Sequence, residues 1–108
     1  MNISEERLEQ ALKFIAESDQ QIGHWRAEVL RSEFVMKSAM ALAFKAQEGS
    51  IEDRKQSALL LPEVKEAAER HFKAVLEYEK LKAQRERQYI VIELYRTMSA
   101  NLRRGQVT

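Results

Sequence analysis

The feature that most constrains this chain is a stripe of apolar residues that recurs every seven residues through its first half. The stripe consists of Leu8, Ile15, Ile22, Val29, Met36 and Ala43. Three residues after each member comes a second series, small except at Trp25: Ala11, Ser18, Trp25, Ser32, Ala39 and Ala46. A period of 3.5 residues is typical of a helix packed along a seam against another helix. The small residues of the second series predict a close approach of that other helix.

Composition agrees with an all-α fold. The 108 residues include 3 Gly and 1 Pro, and Ala, Leu, Glu, Lys, Gln and Arg dominate. These six are the residue types that lose least on entering a helix. We therefore predict a single helical domain across residues 1–108, with helices at about 4–47, 51–60 and 62–103.

Local signals mark the predicted helix boundaries. Ser4 is suited to cap the first helix, and Gly49 offers a left-handed stop after it. Ser50 with Asp53 three residues later forms a capping box for the short second helix. Pro62 fits the first turn of the third helix, and Gly105 is expected to end it.

Two long helices joined by a short one are expected to run antiparallel as a coiled-coil-like hairpin. This arrangement predicts that Trp25 lies near Ala83, with Lys82 or Arg85 over its ring, and that Leu59, Leu60 and Leu61 close the bend. A two-helix hairpin makes a small core for its length. We therefore expect two hairpins to pack as a dimeric four-helix bundle.

Some apolar residues exceed what one seam can bury. The segment RQYIVIELYRTM (residues 87–98) is apolar on nearly every side, and a helix apolar all round is usually buried all round. The predicted surface for self-association or for a partner comprises Phe34, Val35, Leu42, Tyr89, Ile90, Val91, Leu94 and Tyr95. Two alternatives remain open: the short helix and the N-terminus cover these residues within a monomer, or the patch is reserved for a different protein.

Catalytic and metal-binding patterns are missing from the sequence. There is no Cys, the three glycines are isolated, and neither His24 nor His71 is preceded by Glu at the three-residue spacing of helix-bundle metal sites. His24 lies on the polar face of the first helix, and His71 falls at a seam position where it is expected to be partly buried against a polar group. We predict no enzyme activity, no cofactor, no metal and no small-molecule substrate.

The C-terminal part of the chain is mildly basic, although the net charge is only +1. Candidate phosphate contacts are Arg85, Arg87, Arg96, Arg103 and Arg104, with Tyr89 or Tyr95 available to stack on exposed bases. The alternative is that these cations compensate the negative end of a helix dipole and that the tyrosines belong to the core.

The N-terminal segment MNISEERLEQ has neither the basic nor the apolar region of a secretory signal. No apolar run approaches the roughly 18 residues of a membrane span. The expected location is the cytoplasm, without membrane association.

The segments SEERLEQALKFIAESD, AFKAQEGSIEDRKQSALL and EVKEAAERHFKAVLEYEKLKAQRE carry a resemblance that covers most of the chain. Their layout resembles that of small α-helical proteins encoded in phage and prophage early regions, often beside recombination genes. The resemblance implies a setting in phage–host interplay or in DNA recombination and replication, within the host cytoplasm. It implies no functional residues.

Together these features predict a non-enzymatic helical interaction protein. It is expected to associate with itself and to bind and modulate or inhibit a host protein complex that acts in DNA processing or defence. The alternative is a single-stranded nucleic-acid-binding accessory of recombination or replication. A third hypothesis is an adaptor in a large virion or secretion assembly.

Overall fold

The computed structural model describes residues 2–107, with side chains described as far as residue 105. This part of the chain contains three helices, α1 (Glu5–Ala46), α2 (Ile51–Leu59) and α3 (Pro62–Val107), and no strand. The prediction of an all-α fold with a short helix between two long ones is confirmed.

The start of each of the first two helices follows the predicted capping chemistry. The backbone N–H of Arg7 donates to Ser4 Oγ at 3.1 Å, and that of Asp53 donates to Ser50 Oγ at 3.2 Å. Gly49 separates α1 from α2 with a φ of 109°, a left-handed conformation that a side chain would strain. The bend is therefore encoded locally.

The predicted end of the third helix is wrong. We expected α3 to end near Arg103, with Gly105 as the stop, but α3 continues through Gly105 to Val107. A glycine ends a helix when its backbone turns left-handed, and among the described residues only Gly49 does so. Gly105 keeps a helical backbone, so the helix continues past it.

Residue contacts divide the chain into two compact units. The terminal unit comprises residues 2–22 and 79–107, and the bend unit comprises Gly23–Tyr78. In each unit a segment of α1 packs antiparallel against a segment of α3. The prediction of one domain across 1–108 stays a prediction, and Met1 and Thr108 lie outside the described residues.

In the terminal unit the seam is confirmed and is closed by polar as well as apolar residues of α3. The α1 side is buried or half-buried at Leu8, Ala11, Ile15, Ser18 and Ile22. The α3 side is buried or half-buried at Leu81, Arg85, Gln88, Ile92 and Tyr95, which follow the same sevenfold spacing. Two of these α3 residues are polar: Arg85 contacts the small Ser18, and Gln88 accepts a hydrogen bond from Arg7.

The bend unit continues both series. Its α1 seam comprises Trp25, Val29, Ser32, Met36, Ala39 and Ala43, and its α3 seam comprises Val64, Ala67, His71, Ala74 and Tyr78, all buried or half-buried. Ala46, the last of the predicted small series, is exposed. At the bend, Ala43, Ala58 and Val64 form a buried cluster.

Trp25 lines a shallow depression with Arg70, Lys73 and Ala74. The prediction that it lies near Ala83, with Lys82 or Arg85 over its ring, stays a prediction. The register of a hairpin depends on how many residues the bend consumes, which the seam pattern alone does not give.

At the bend, Leu61 packs on the buried cluster, whereas Leu59 and Leu60 are exposed. α2 meets this cluster through Ala58, and the two residues that follow Ala58 remain exposed. The prediction that Leu59 and Leu60 close the bend is therefore wrong.

Candidate interaction surface

The residues predicted to form an interaction surface divide into exposed and half-buried groups. Phe34 and Leu42 in the bend unit are 73% and 70% exposed. In the terminal unit, Tyr89, Ile90 and Leu94 are exposed and line a small depression with Glu93 and Thr97. Val35, Val91 and Tyr95 are half-buried. Their use as a docking surface stays a prediction.

A larger apolar groove lies in the bend unit between the end of α1 and α2. Its volume is about 520 Å³, and its apolar wall consists of Met40, Ala41, Phe44 and Leu59. The groove forms because Gly49 turns α2 back alongside α1, which leaves the two helices with facing apolar residues. It has the apolar lining that proteins present to ligands and partner helices.

Arg54 fixes α2 against the end of α1 beneath this groove. Its guanidinium carbon lies 4.3 Å from the centre of the Phe44 ring, and its Nη2 donates to the Phe44 carbonyl oxygen at 3.4 Å. A cation near the last carbonyls of a helix is favourable because that end of the helix is partly negative. The aromatic wall of the groove is therefore held in place.

Charged and polar residues form the rim of the groove: Lys37, Glu52, Lys55 and Gln56. Lys37 Nζ lies 3.0 Å from Glu33 Oε1, and this hydrogen bond lowers the pKa of Glu33. Gln56 Nε2 donates to Glu52 Oε1 at 3.3 Å. Protein-binding surfaces usually combine an apolar centre with a polar rim, as the apolar wall and the polar rim of this groove do.

His71 and Ser32 form a polar contact inside the bend unit, as expected for a histidine at a seam position. Ser32 Oγ lies 3.0 Å from His71 Nδ1 and donates to the Val29 carbonyl oxygen at 3.1 Å. A serine beside a histidine is also the geometry of an activated nucleophile. Ser32 is fully buried, however, so its hydroxyl is closed to a substrate and the pair acts as packing.

The same unit carries an ion pair beside the seam. Arg70 Nε donates to Glu28 Oε1 at 2.8 Å, and this hydrogen bond lowers the pKa of Glu28 against an opposing effect of desolvation. Arg31 adds a further contact to Glu28 at 3.6 Å. The pair links α3 to α1.

Arg85 is the centre of a polar cluster in the terminal unit. Its Nη1 donates to Ser18 Oγ at 2.6 Å and to the Ile15 carbonyl oxygen at 2.9 Å, and its Nη2 donates to Asp19 Oδ1 at 2.7 Å. The side chain is only 11% exposed. Nη2 also donates to Tyr89 Oη at 3.3 Å, so both terminal nitrogens have partners within the chain, and contact of Arg85 with nucleic acid stays a prediction.

The other arginines predicted to contact nucleic acid are on the outside of α3. Arg87, Arg96, Arg103 and Arg104 are exposed, and Arg96 Nη1 lies 2.9 Å from Glu93 Oε1. The structure brings none of these four together with Arg85 at the seam. Their contact with nucleic acid stays a prediction.

Several exposed apolar residues were not among those predicted. Leu30 is 64% exposed and Phe72 and Leu76 are 60% and 56% exposed, all in the bend unit. The sequence did carry a signal for Leu30, because Gly23, Ala27, Leu30 and Phe34 recur at the four-and-three spacing of one helix face. The groove had no such signal, since two separate elements form it.

Among residues 2–107 no group of three or more His, Asp or Glu side chains is arranged to hold a metal ion. Within the same residues, no helix combines the length and apolar character that crossing a bilayer requires. In comparisons with known proteins, no protein-family model, curated protein or solved structure matches the chain.

Proposed function

We propose that this protein works by binding another protein, which inserts an amphipathic helix into the groove between α1 and α2. The observation that carries the proposal is the groove itself: an open apolar channel of about 520 Å³ on a helical scaffold, lined by Met40, Ala41, Phe44 and Leu59. A groove between two helices takes the apolar face of a third helix in a recurring mode of recognition.

The groove favours a helix over a flat surface. Its wall is apolar along one side of α1, and the facing residue Leu59 is half exposed at 49%. Leucine or aromatic anchors at a spacing of three or four residues on the incoming helix would meet these side chains in sequence. A few buried anchors, aromatic ones above all, typically supply most of the affinity of an interface.

The rim carries charges of both signs. Lys37 pairs with Glu33 at 3.0 Å, which leaves Lys55 and Glu52 as one cation and one carboxylate at the rim. Charged rims contribute more to the rate and selectivity of association than to affinity. The resemblance to phage early-region proteins supports a host DNA-processing or defence complex as the source of the partner, bound in the host cytoplasm and inhibited or redirected sterically.

Self-association completes the proposal. Tyr89, Ile90 and Leu94 are exposed together around one depression of the terminal unit, and Phe34 and Leu42 are exposed in the bend unit. Two copies packed through such residues would form the dimeric assembly, a four-helix bundle being one form, that we expected from the sequence.

The test of the groove is capture of partners from host cells by the wild-type chain and by three variants. Ala41→Glu and Leu59→Glu place a charge in the groove at exposed positions, so that the helices can still form. Gln10→Glu is the matched control, because it adds the same charge at an exposed position of α1 outside the groove.

We expect a partner retained by the wild type and by Gln10→Glu but lost by both groove variants. If all four chains retain the same proteins, or if none retains any protein above background, the groove does not bind a partner and the proposed function is wrong.

A further inference from the structure

An exposed stripe on α1 in the bend unit combines small and large residues in an order that is self-complementary. Gly23, Ala27, Leu30 and Phe34 lie on one helix face, and all four are exposed. Leu30 and Phe34 are 64% and 73% exposed. The order along the stripe is small, small, large, large.

Gly23 has no role within its own chain that requires a glycine. It lies in the interior of α1 with an ordinary helical backbone, and a Cβ added there would meet nothing within 4 Å. Glycine in an exposed helix interior costs about 1 kcal/mol relative to alanine. The missing side chain therefore leaves an open notch on the outer surface, which is explained if something from outside approaches the backbone there.

We propose that the occupant of this stripe is the same stripe of a second copy, packed antiparallel about a two-fold axis. In that pairing Phe34 of one copy lies over the notch at Gly23 of the other, and Leu30 lies over Ala27. In both contacts a large side chain meets a small residue. The two-fold axis repeats each contact, which gives four in all. This inference rests on the self-association part of the proposed function and gives it a surface and an orientation.

The charges beside the stripe fit the antiparallel orientation. Arg26 and Glu33 are seven residues apart and hence on the same flank of the stripe. A two-fold axis places each flank beside its own counterpart in reverse order, which brings Arg26 of one copy alongside Glu33 of the other. A parallel pairing would instead bring Phe34 against Phe34 and place Arg26 beside the opposite flank of the second copy, which carries Arg31 and not Glu33. The contact of Arg26 with Glu33, whose carboxylate Lys37 of its own chain also contacts at 3.0 Å, therefore favours a second copy that runs in the opposite direction.

The test is the solution mass of the full chain, measured by sedimentation over about 5 to 500 µM, a range suited to a short, weak contact. We expect the wild type to shift toward twice the mass of one chain. Gly23→Leu fills the notch and should weaken dimerisation at least about tenfold, while its helix content by circular dichroism stays equal or rises. Gln10→Leu, which adds a leucine elsewhere on the exposed surface of α1, should dimerise like the wild type.

A charge exchange tests the orientation independently. Arg26→Glu and Glu33→Arg should each weaken the dimer, and the double variant should restore it, because the signs are then exchanged but still complementary. A wild type that stays monomeric across the range overturns the inference, as does a Gly23→Leu dimer as tight as the wild type. A double variant weaker than either single variant overturns the antiparallel pairing.

These outcomes are separable from those of the groove. Partner capture that depends on Ala41 and Leu59 can succeed in a monomer, and dimerisation through Gly23 and Phe34 can occur without any captured partner. The two sets of variants share only Gln10, the control position in both.

Discussion

At the scale of single residues, the seam is specified by polar side chains that fit over small ones. Arg85 lies over Ser18 in the terminal unit, and His71 lies against Ser32 in the bend unit. Each polar group finds a partner only when the two helices are in the correct register, and a buried polar group without a partner is costly. Such residues fix which layer of α1 meets which layer of α3.

Arg85→Ala should therefore destabilise the protein by about 2 kcal/mol, because it removes charge-assisted hydrogen bonds from a side chain that is mostly buried. Arg87→Ala is the control, since Arg87 is exposed on the same helix and its removal should change stability by less than about 0.5 kcal/mol. Urea unfolding followed by circular dichroism measures both. Equal effects in the two variants would show that Arg85 is not part of the seam.

The Glu28–Arg70 contact predicts a pH dependence. The hydrogen bond from Arg70 lowers the pKa of Glu28 below its ordinary value of 4.5. Because the folded-state pKa is lowered, the contact contributes its full stabilisation above the ordinary pKa of 4.5. That stabilisation is lost as pH falls through the lower, folded-state pKa. Carboxyl NMR titration should find the pKa of Glu28 below 4.5 in the wild type and higher in Arg70→Gln. An unchanged pKa in the variant would mean that Arg70 does not bind Glu28.

At the scale of elements, the two long helices were unequally predictable. The α1 seam was evident because its first series is apolar throughout, and the caps at Ser4 and Ser50 were evident because capping is local chemistry. The α3 seam was only partly evident, since Arg85 and Gln88 are polar and take seam positions through hydrogen bonds to α1, from Arg85 to Ser18 and from Arg7 to Gln88. The end of α3 was missed because Gly105 does not take the left-handed conformation.

The small residues of α1 should tolerate little enlargement. Ala11 is fully buried, so Ala11→Leu would push α3 away and should cost about 1–3 kcal/mol. Ala16→Leu makes the same change at an exposed position of the same helix and should be neutral within about 0.5 kcal/mol. Thermal and urea unfolding compare the two. A destabilisation by Ala16→Leu as large as that by Ala11→Leu would place the seam on the wrong face.

At the scale of the whole molecule, function follows from what the seam leaves outside. Residues on the seam are committed to the fold, so the groove at Met40 and Phe44 and the stripe from Gly23 to Phe34 are available to other chains. The stripe could be found from helical spacing alone. The groove could not, because it depends on the angle at which α2 turns back after Gly49. The partner itself is a property of another molecule.

The central claim is the register of the seam, since it decides which residues face outward. The most direct measurement is an edited NOESY spectrum of the unmodified chain, in which 2 His and 1 Trp make assignment simple. The account predicts cross-peaks between the His71 ring protons and the β protons of Ser32. Trp25 lies one heptad before Ser32 on the α1 seam. Cross-peaks from the His71 ring to the Trp25 indole, with none to Ser32, would contradict the predicted register.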